Sequence, residues 1–237
     1  AGMLTGLATG IFHTCMGIPA ILSGILTQLS LYSVNLKIMG KANQAISVGK
    51  YDLLVSLRYI KGVPFYQNTI FVVAVFIVVL IAVLYWFFGT ELGCAIRATG
   101  CNSSMSRAQG INTSFNKVLG LMVSNGLVAL SSALLAQYQG FADINMGRGA
   151  IVIGLAAVII GEAVFNKIFR NFALRLLGVA LGSILYYLVL QTVIWLGIDT
   201  DLLKLLSAIV VAIFLATPYW KGKYFSKPMK RGGNSNA

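Results

Sequence analysis

The chain has 237 residues, of which 58% are hydrophobic and only 10% charged, with a formal net charge of +12. A soluble globular domain carries about a quarter charged residues, so that class is excluded. The Lys and Arg residues lie in separate short loops rather than on one face, which argues against a nucleic-acid partner.

Several segments exceed the ~18 apolar residues of a membrane-crossing helix. The expected fold is therefore all-α, a polytopic transmembrane helix bundle forming one domain over residues 1–237. Cys15, Cys94 and Cys101 have neither metal-ligand nor disulfide-framework spacing, so free thiols are expected. The apolar pattern starts at Ala1 with no basic leader and no cleavage site.

The first segment, residues 1–15, is short for a span and carries Gly2, Gly6 and Gly10 at four-residue spacing. That spacing lets two helix backbones approach closely in lipid. His13 is its one ionisable side chain, read as a polar group satisfied by a neighbour. After a turn at Met16, Gly17, Ile18 and Pro19, a second span is expected over 19–39. Pro19 suits a first helical turn, and Lys37 can snorkel toward headgroups. Residues 40–68 form no clear span; Leu53, Leu57 and Ile60 share a helical face, which predicts a re-entrant or surface helix. Such a helix either helps to dock a binding protein or rests on the membrane interface.

A third span is expected over 69–88, with Tyr85 and Trp86 as interfacial aromatics. The fourth, over 118–138, carries a polar stripe of Ser124, Asn125, Ser131, Ser132 and Gln137. Of these, Asn125, Ser132 and Gln137 are the candidates for lining a translocation path, the competing reading being interhelical hydrogen bonding. A fifth span over 150–165 has the small pair Ala157 and Gly161 and carries Glu162 near its end; a sixth over 176–196 has Gly178 and Gly182. A seventh over 202–217 stops at Pro218, and 219–237 form a basic cytoplasmic tail.

Placing the tail inside puts eleven Lys and Arg on the inner side and seven on the outer, the bias expected of cytoplasmic loops. Seven spans then leave Ala1 outside, so at least one further span is expected upstream.

The polar interval 91–117 joins the third and fourth spans. Asn102 or Ser103 can cap a short helix over 103–109, Gly110 suits the left-handed residue beyond its end, and Arg107 complements the dipole of its last turn. Met105 and Ala108 lie on one side of it.

The run Arg97, Ala98, Thr99, Gly100, Cys101, Asn102, followed by Arg107, Ala108, Gln109, Gly110, Ile111, Asn112, resembles the cytoplasmic loop of the permease subunits of bacterial ABC importers. The closest branch serves branched-chain amino acids and ribose-type sugars. Met105 and Ser106 stand where small alanines are usual. The resemblance covers most of the chain, and it implies relatives longer at the N-terminal end, so this domain is expected to be N-terminally incomplete. It also implies a homodimer of permease subunits, two ABC ATPase subunits and an extracytoplasmic substrate-binding protein, in the bacterial cytoplasmic membrane. The implied cargo is a small solute, most readily an amino acid. The expected ATPase-coupling residues are Arg97, Ala98, Gly100, Asn102, Ser103, Met105, Arg107, Ala108, Gly110 and Ile111.

Within the chain itself, Gly49-Lys50 and Gly222-Lys223 are each followed by Tyr, where a phosphate-binding loop needs Ser or Thr. No arrangement of acids, His or Cys suggests catalysis, a cofactor or a metal. An ion-gradient-driven carrier or channel is the alternative, weakened by the scarcity of ionisable groups inside the spans. A membrane scaffold without transport is the third.

Overall fold

Helices dominate the computed structural model, which describes residues 1–46, 69–147, 150–165 and 171–195 together with positions 55, 205, 209 and 212. In chain order these are α1 (Gly2–Thr14), α2 (Ala20–Met39), β1 (Asn43–Ala45), α3 (Thr69–Gly89), α4 (Glu91–Cys101), α5 (Ser103–Ala108), α6 (Thr113–Gln139), β2 (Phe141–Asp143), α7 (Ala150–Phe165) and α8 (Phe172–Trp195). They fall into two units, Ala1–Met146 and Gly147–Ala237.

In the first unit α1 packs against both α6 and α2. The glycine stripe sets the first contact. A Cβ at Gly2 would lie 2.7 Å from the Asn125 carbonyl oxygen, one at Gly6 2.7 Å from Met122 Cα, and one at Gly10 3.0 Å from Val118 Cα. The descending partner numbers make α1 antiparallel to α6. The α1–α2 contact is tied by a buried hydroxyl pair, Thr9 Oγ1 donating to Thr27 Oγ1 at 2.9 Å. Beyond Thr27, every residue of α2 from 28 to 37 except Leu31 is exposed. His13 Nδ1 lies 2.9 Å from the Ile18 carbonyl and donates to it, bracing the turn into α2.

In the second unit the two small-residue pairs meet. A Cβ at Gly161 would overlap the Gly178 carbonyl, and one at Gly182 would lie 2.6 Å from Gly161 N and against the Ala157 carbonyl. Beside this contact Ala156, Ile160 and Tyr186 form a buried cluster.

Among the described residues three helices are long and apolar enough to cross a membrane: Thr69–Gly89, Thr113–Gln139 and Phe172–Thr192. At about 1.5 Å per residue, the 13 residues of α1 and 16 of α7 fall short of a ~30 Å hydrocarbon layer. The 20 residues of α2 have the length, but Gln28, Asn35 and Lys37 dilute its hydropathy. The expected seventh span falls outside the described residues except for positions 205, 209 and 212, which are helical. The apolar α3 leaves Ile70, Val78 and Trp86 at 75%, 63% and 72% exposure, a surface that suits acyl chains rather than water.

Two elements differ from expectation. Within 40–68, where a helix was expected, residues 43–45 are a strand pairing antiparallel with β2 in the register Asn43 to Asp143, Gln44 to Ala142 and Ala45 to Phe141. Leu53, Leu57 and Ile60 lie outside the described residues. The polar interval holds α4 in addition to the short helix.

Candidate functional site at the turn between α4 and α6

The site is built from caps. Thr90 Oγ1 accepts from Gly93 N at 3.3 Å and donates to the Phe87 carbonyl at 2.6 Å, starting α4 one residue after α3 ends. Gly93 permits this fold-back, because a Cβ there would overlap the backbone of Phe87 and Phe88. Asn102 then serves two helices. Its extended backbone, φ −152°, stops α4, with its N–H donating to the Ala98 carbonyl. Its Oδ1 accepts from Ser104 N at 3.1 Å and Met105 N at 3.0 Å, opening α5. Of the two expected caps, Asn102 is the one used.

The end of α5 follows the expected pattern. Gly110 has φ +81°, in the left-handed region that disfavours a side chain. Its N–H donates to the Arg107 carbonyl at 3.0 Å, and Ile111 N donates to the Ser106 carbonyl at 3.1 Å. Asn112 Oδ1 caps α6 by accepting from Phe115 N at 3.1 Å. Three capped helices thus follow one another within 24 residues, leaving little slack.

Below α5 lies a set of buried polar side chains: Thr99, Ser106, Thr113 and Asn116, each at most 6% exposed. Ser106 Oγ donates to the Asn102 carbonyl at 3.0 Å. Asn116 Nδ2 points at Thr99 Oγ1 at 3.5 Å, and Arg107 Nη2 at Thr113 Oγ1 at 3.4 Å, both long contacts. Sequence reading missed Thr99, Thr113 and Asn116 as members of this site; Thr99 and Asn116 are 17 residues apart, and no local period links them.

The expected coupling residues lie on α4, on α5 and in the turns beside them. Arg97, Ala98, Gly100, Asn102, Met105, Arg107, Ala108 and Gly110 are exposed, while Ser103 and Ile111 are half-buried. Met105 is 59% exposed and stands away from the buried Ser106. No acidic residue occurs between Glu91 and Asp143, while Arg97, Arg107 and Lys117 lie in this stretch. The exposed thiols Cys94 and Cys101 lie on α4, and Cys15 follows α1.

The three path candidates are not brought to one lining. Asn125 Nδ2 donates to the Leu121 carbonyl at 2.9 Å, and Ser132 Oγ to the Ala129 carbonyl at 2.9 Å, both within α6. At about 100° per residue these two lie within about 20° of each other around the axis, and Gln137 about 120° away. The Gln137 Oε1 is buried without a hydrogen-bond partner.

The sequence family described as "Branched-chain amino acid transport system / permease component" matches residues 1–215. The chain is 39% identical over 216 residues to the tyrosine transport system permease protein of Clostridioides difficile, covering 91% of this chain and 69% of that one. It is 35% identical over 219 residues to the uncharacterized protein RP368 of Rickettsia prowazekii, covering 92% and 75%. To the fructose import permease protein FruF of Bifidobacterium longum it is 28% identical over 174 residues, covering 73% and 46%. No solved structure matches.

Proposed function

The chain belongs to the permease-component family of branched-chain amino acid transport systems, an integral membrane family of transport subunits, and we propose that it forms the translocation path of an ATP-binding-cassette importer. ATP is hydrolysed by a separate ABC ATPase subunit in the cytosol. A second copy of the permease completes the path, and an extracytoplasmic binding protein delivers the solute. The assembly sits in the bacterial cytoplasmic membrane.

One observation carries the coupling part of this reading. The short α5 is capped at both ends, with Ser106 buried beneath it and Met105 bare on its outer side. A helix held this way transmits displacement instead of absorbing it, and only residues 109–112 separate it from α6. Closure of an ATPase around α5 then changes the packing of a two-state bundle through contacts that differ between the states. The positive charges of Arg107 and Lys117 suit an acidic rim on that ATPase.

An amino acid, within reach of tyrosine in chemistry, is the proposed cargo. The support is the higher identity to the tyrosine permease, 39% against 28% for the fructose permease.

The test is to co-express the permease with its ATPase and binding protein, purify the complex, and reconstitute it. Met105→Glu leaves the fold intact and reduces the ATPase retained on the permease at least tenfold. Uptake of labelled tyrosine follows ATP and is insensitive to a protonophore. An ATPase retained undiminished by Met105→Glu and by Asn102→Ala defeats the coupling reading. Uptake driven by a proton gradient without ATP defeats the importer.

A further inference from the structure

The helices α2 and α6 end in the same way. Each closes on a left-handed glycine, Gly40 at φ +69° and Gly140 at φ +76°, whose N–H donates to the carbonyl four residues back at 2.9 Å. Each glycine turns its chain almost at once into a strand, and the two strands pair. The ladder extends past the three paired residues, since Ile46 N donates to the Gly140 carbonyl at 2.8 Å and Ile144 N to the Ala42 carbonyl at 3.0 Å. It is closed beyond Asp143 by Asn145 N donating to Asp143 Oδ1 at 2.6 Å.

This ladder matters because of what α2 lacks. Its buried residues, Ser23 and Thr27, are in its first half, against α1. From 28 to 37 only Leu31 is not exposed. Among the described residues, the hydrogen-bonded attachment of the second half of α2 to another element is therefore the ladder at its end. At the other end of the 27-residue α6, some 40 Å away at about 1.5 Å per residue, lies α5.

We propose that β1 and β2 form a strap that makes the second half of α2 follow α6, carrying movement at α5 across the membrane to the far end of α2. The inference rests on α5 receiving the ATPase. The strap stays paired through the whole transport cycle; what changes is the position of the two helix ends taken together.

Alternation along the ladder specifies the test. The flanking bonds make Gln44 and Ala142 a hydrogen-bonded pair and Ala45 and Phe141 a non-hydrogen-bonded one, with Cα atoms about 4.5 Å apart. That lies within the ~4.4–6.8 Å range of a disulfide. In a background carrying Cys15→Ser, Cys94→Ser and Cys101→Ser, the pair Ala45→Cys and Phe141→Cys is oxidised in the reconstituted importer. Cross-linking is read by gel shift after proteolysis between the two positions, with no substrate involved. Tyrosine is the transport probe.

The expected result is efficient cross-linking with uptake within about twofold of the reduced protein. Ala142→Pro, which removes a ladder donor, lowers uptake at least tenfold while the ATPase remains bound. The disulfide introduced into Ala142→Pro restores uptake in the oxidised state only. Failure to cross-link, or uptake that collapses on oxidation and returns with reductant, overturns the strap; so does Ala142→Pro with undiminished uptake. None of these touches the reading of α5, which falls instead with ATPase binding.

Discussion

Replacing Gly6 by alanine tests the packing of the first unit with a single methyl group. The added Cβ would sit 2.7 Å from Met122 Cα, where ordinary contact begins at 3.4 Å, and against the Leu121 carbonyl. Both are backbone positions, so no rotamer change relieves the overlap and α1 must back away by at least roughly 0.7 Å. Overpacking of this kind costs about 1–3 kcal/mol, and the upper half of that range applies where backbone meets backbone. Gly24→Ala on α2 is the control, since nothing lies within 4 Å of its Cβ position. Alanine gains the same helix preference at both sites, roughly 1 kcal/mol over glycine, so the difference between the variants isolates the clash. Thermal unfolding of the purified permease in detergent, followed by size-exclusion fluorescence, reads it. At roughly 2–4 °C per kcal/mol for a chain of this size, Gly6→Ala melts about 4–12 °C below Gly24→Ala. Equal melting temperatures would refute the close α1–α6 approach.

In the second unit, Gly182→Ala meets the Ala157 carbonyl and Gly161 N whereas Gly154→Ala meets nothing within 4 Å; the same assay separates them in the same order. Asn102→Ala removes the side-chain acceptor shared by Ser104 N and Met105 N, costing about 1 kcal/mol of helix stability and, in a pull-down, most of the retained ATPase. Gly110→Ala forces a side chain into φ +81° at about 1–2 kcal/mol; protease nicking of the 103–112 segment rises in consequence. Gln137→Leu removes a buried acceptor with no partner, so stability holds or rises by about 1 kcal/mol, and tyrosine uptake decides whether that oxygen serves the cargo.

The helix ends and glycine contacts were legible because they follow local rules. Four-residue spacing announced that Gly2, Gly6 and Gly10 face one neighbour, although which neighbour, α6, only the fold supplies. Asn102 and Gly110 announced α5 because caps are written within a few residues of the helix they close. Helix α4 was missed because its residues read as a polar loop; its helical form is stabilised by Thr90 and by packing on α6, with only Gly93 and Thr99 buried. The β1–β2 ladder was illegible for a different reason. Asn43, Gln44 and Ala45 are poor strand formers, and their partners lie about a hundred residues away. Of the path candidates, Asn125 and Ser132 satisfy their donors within their own helix, a use of polar side chains that composition does not distinguish from lining a channel.

The placement of the thiols has a practical consequence. Cys94 and Cys101 lie on α4, which packs on α6 through Thr99 and Asn116, and Cys15 follows the end of α1 that approaches Val118. All three therefore occupy the same end of the first unit, and none lies near the paired strands. The native protein thus carries its own compass: the expected result is that a bulky maleimide that cannot cross lipid labels these thiols from one compartment only, and labelling from both would refute their shared placement. Labelling intact cells and inverted vesicles in parallel reports which way up the subunit sits, without altering a single residue.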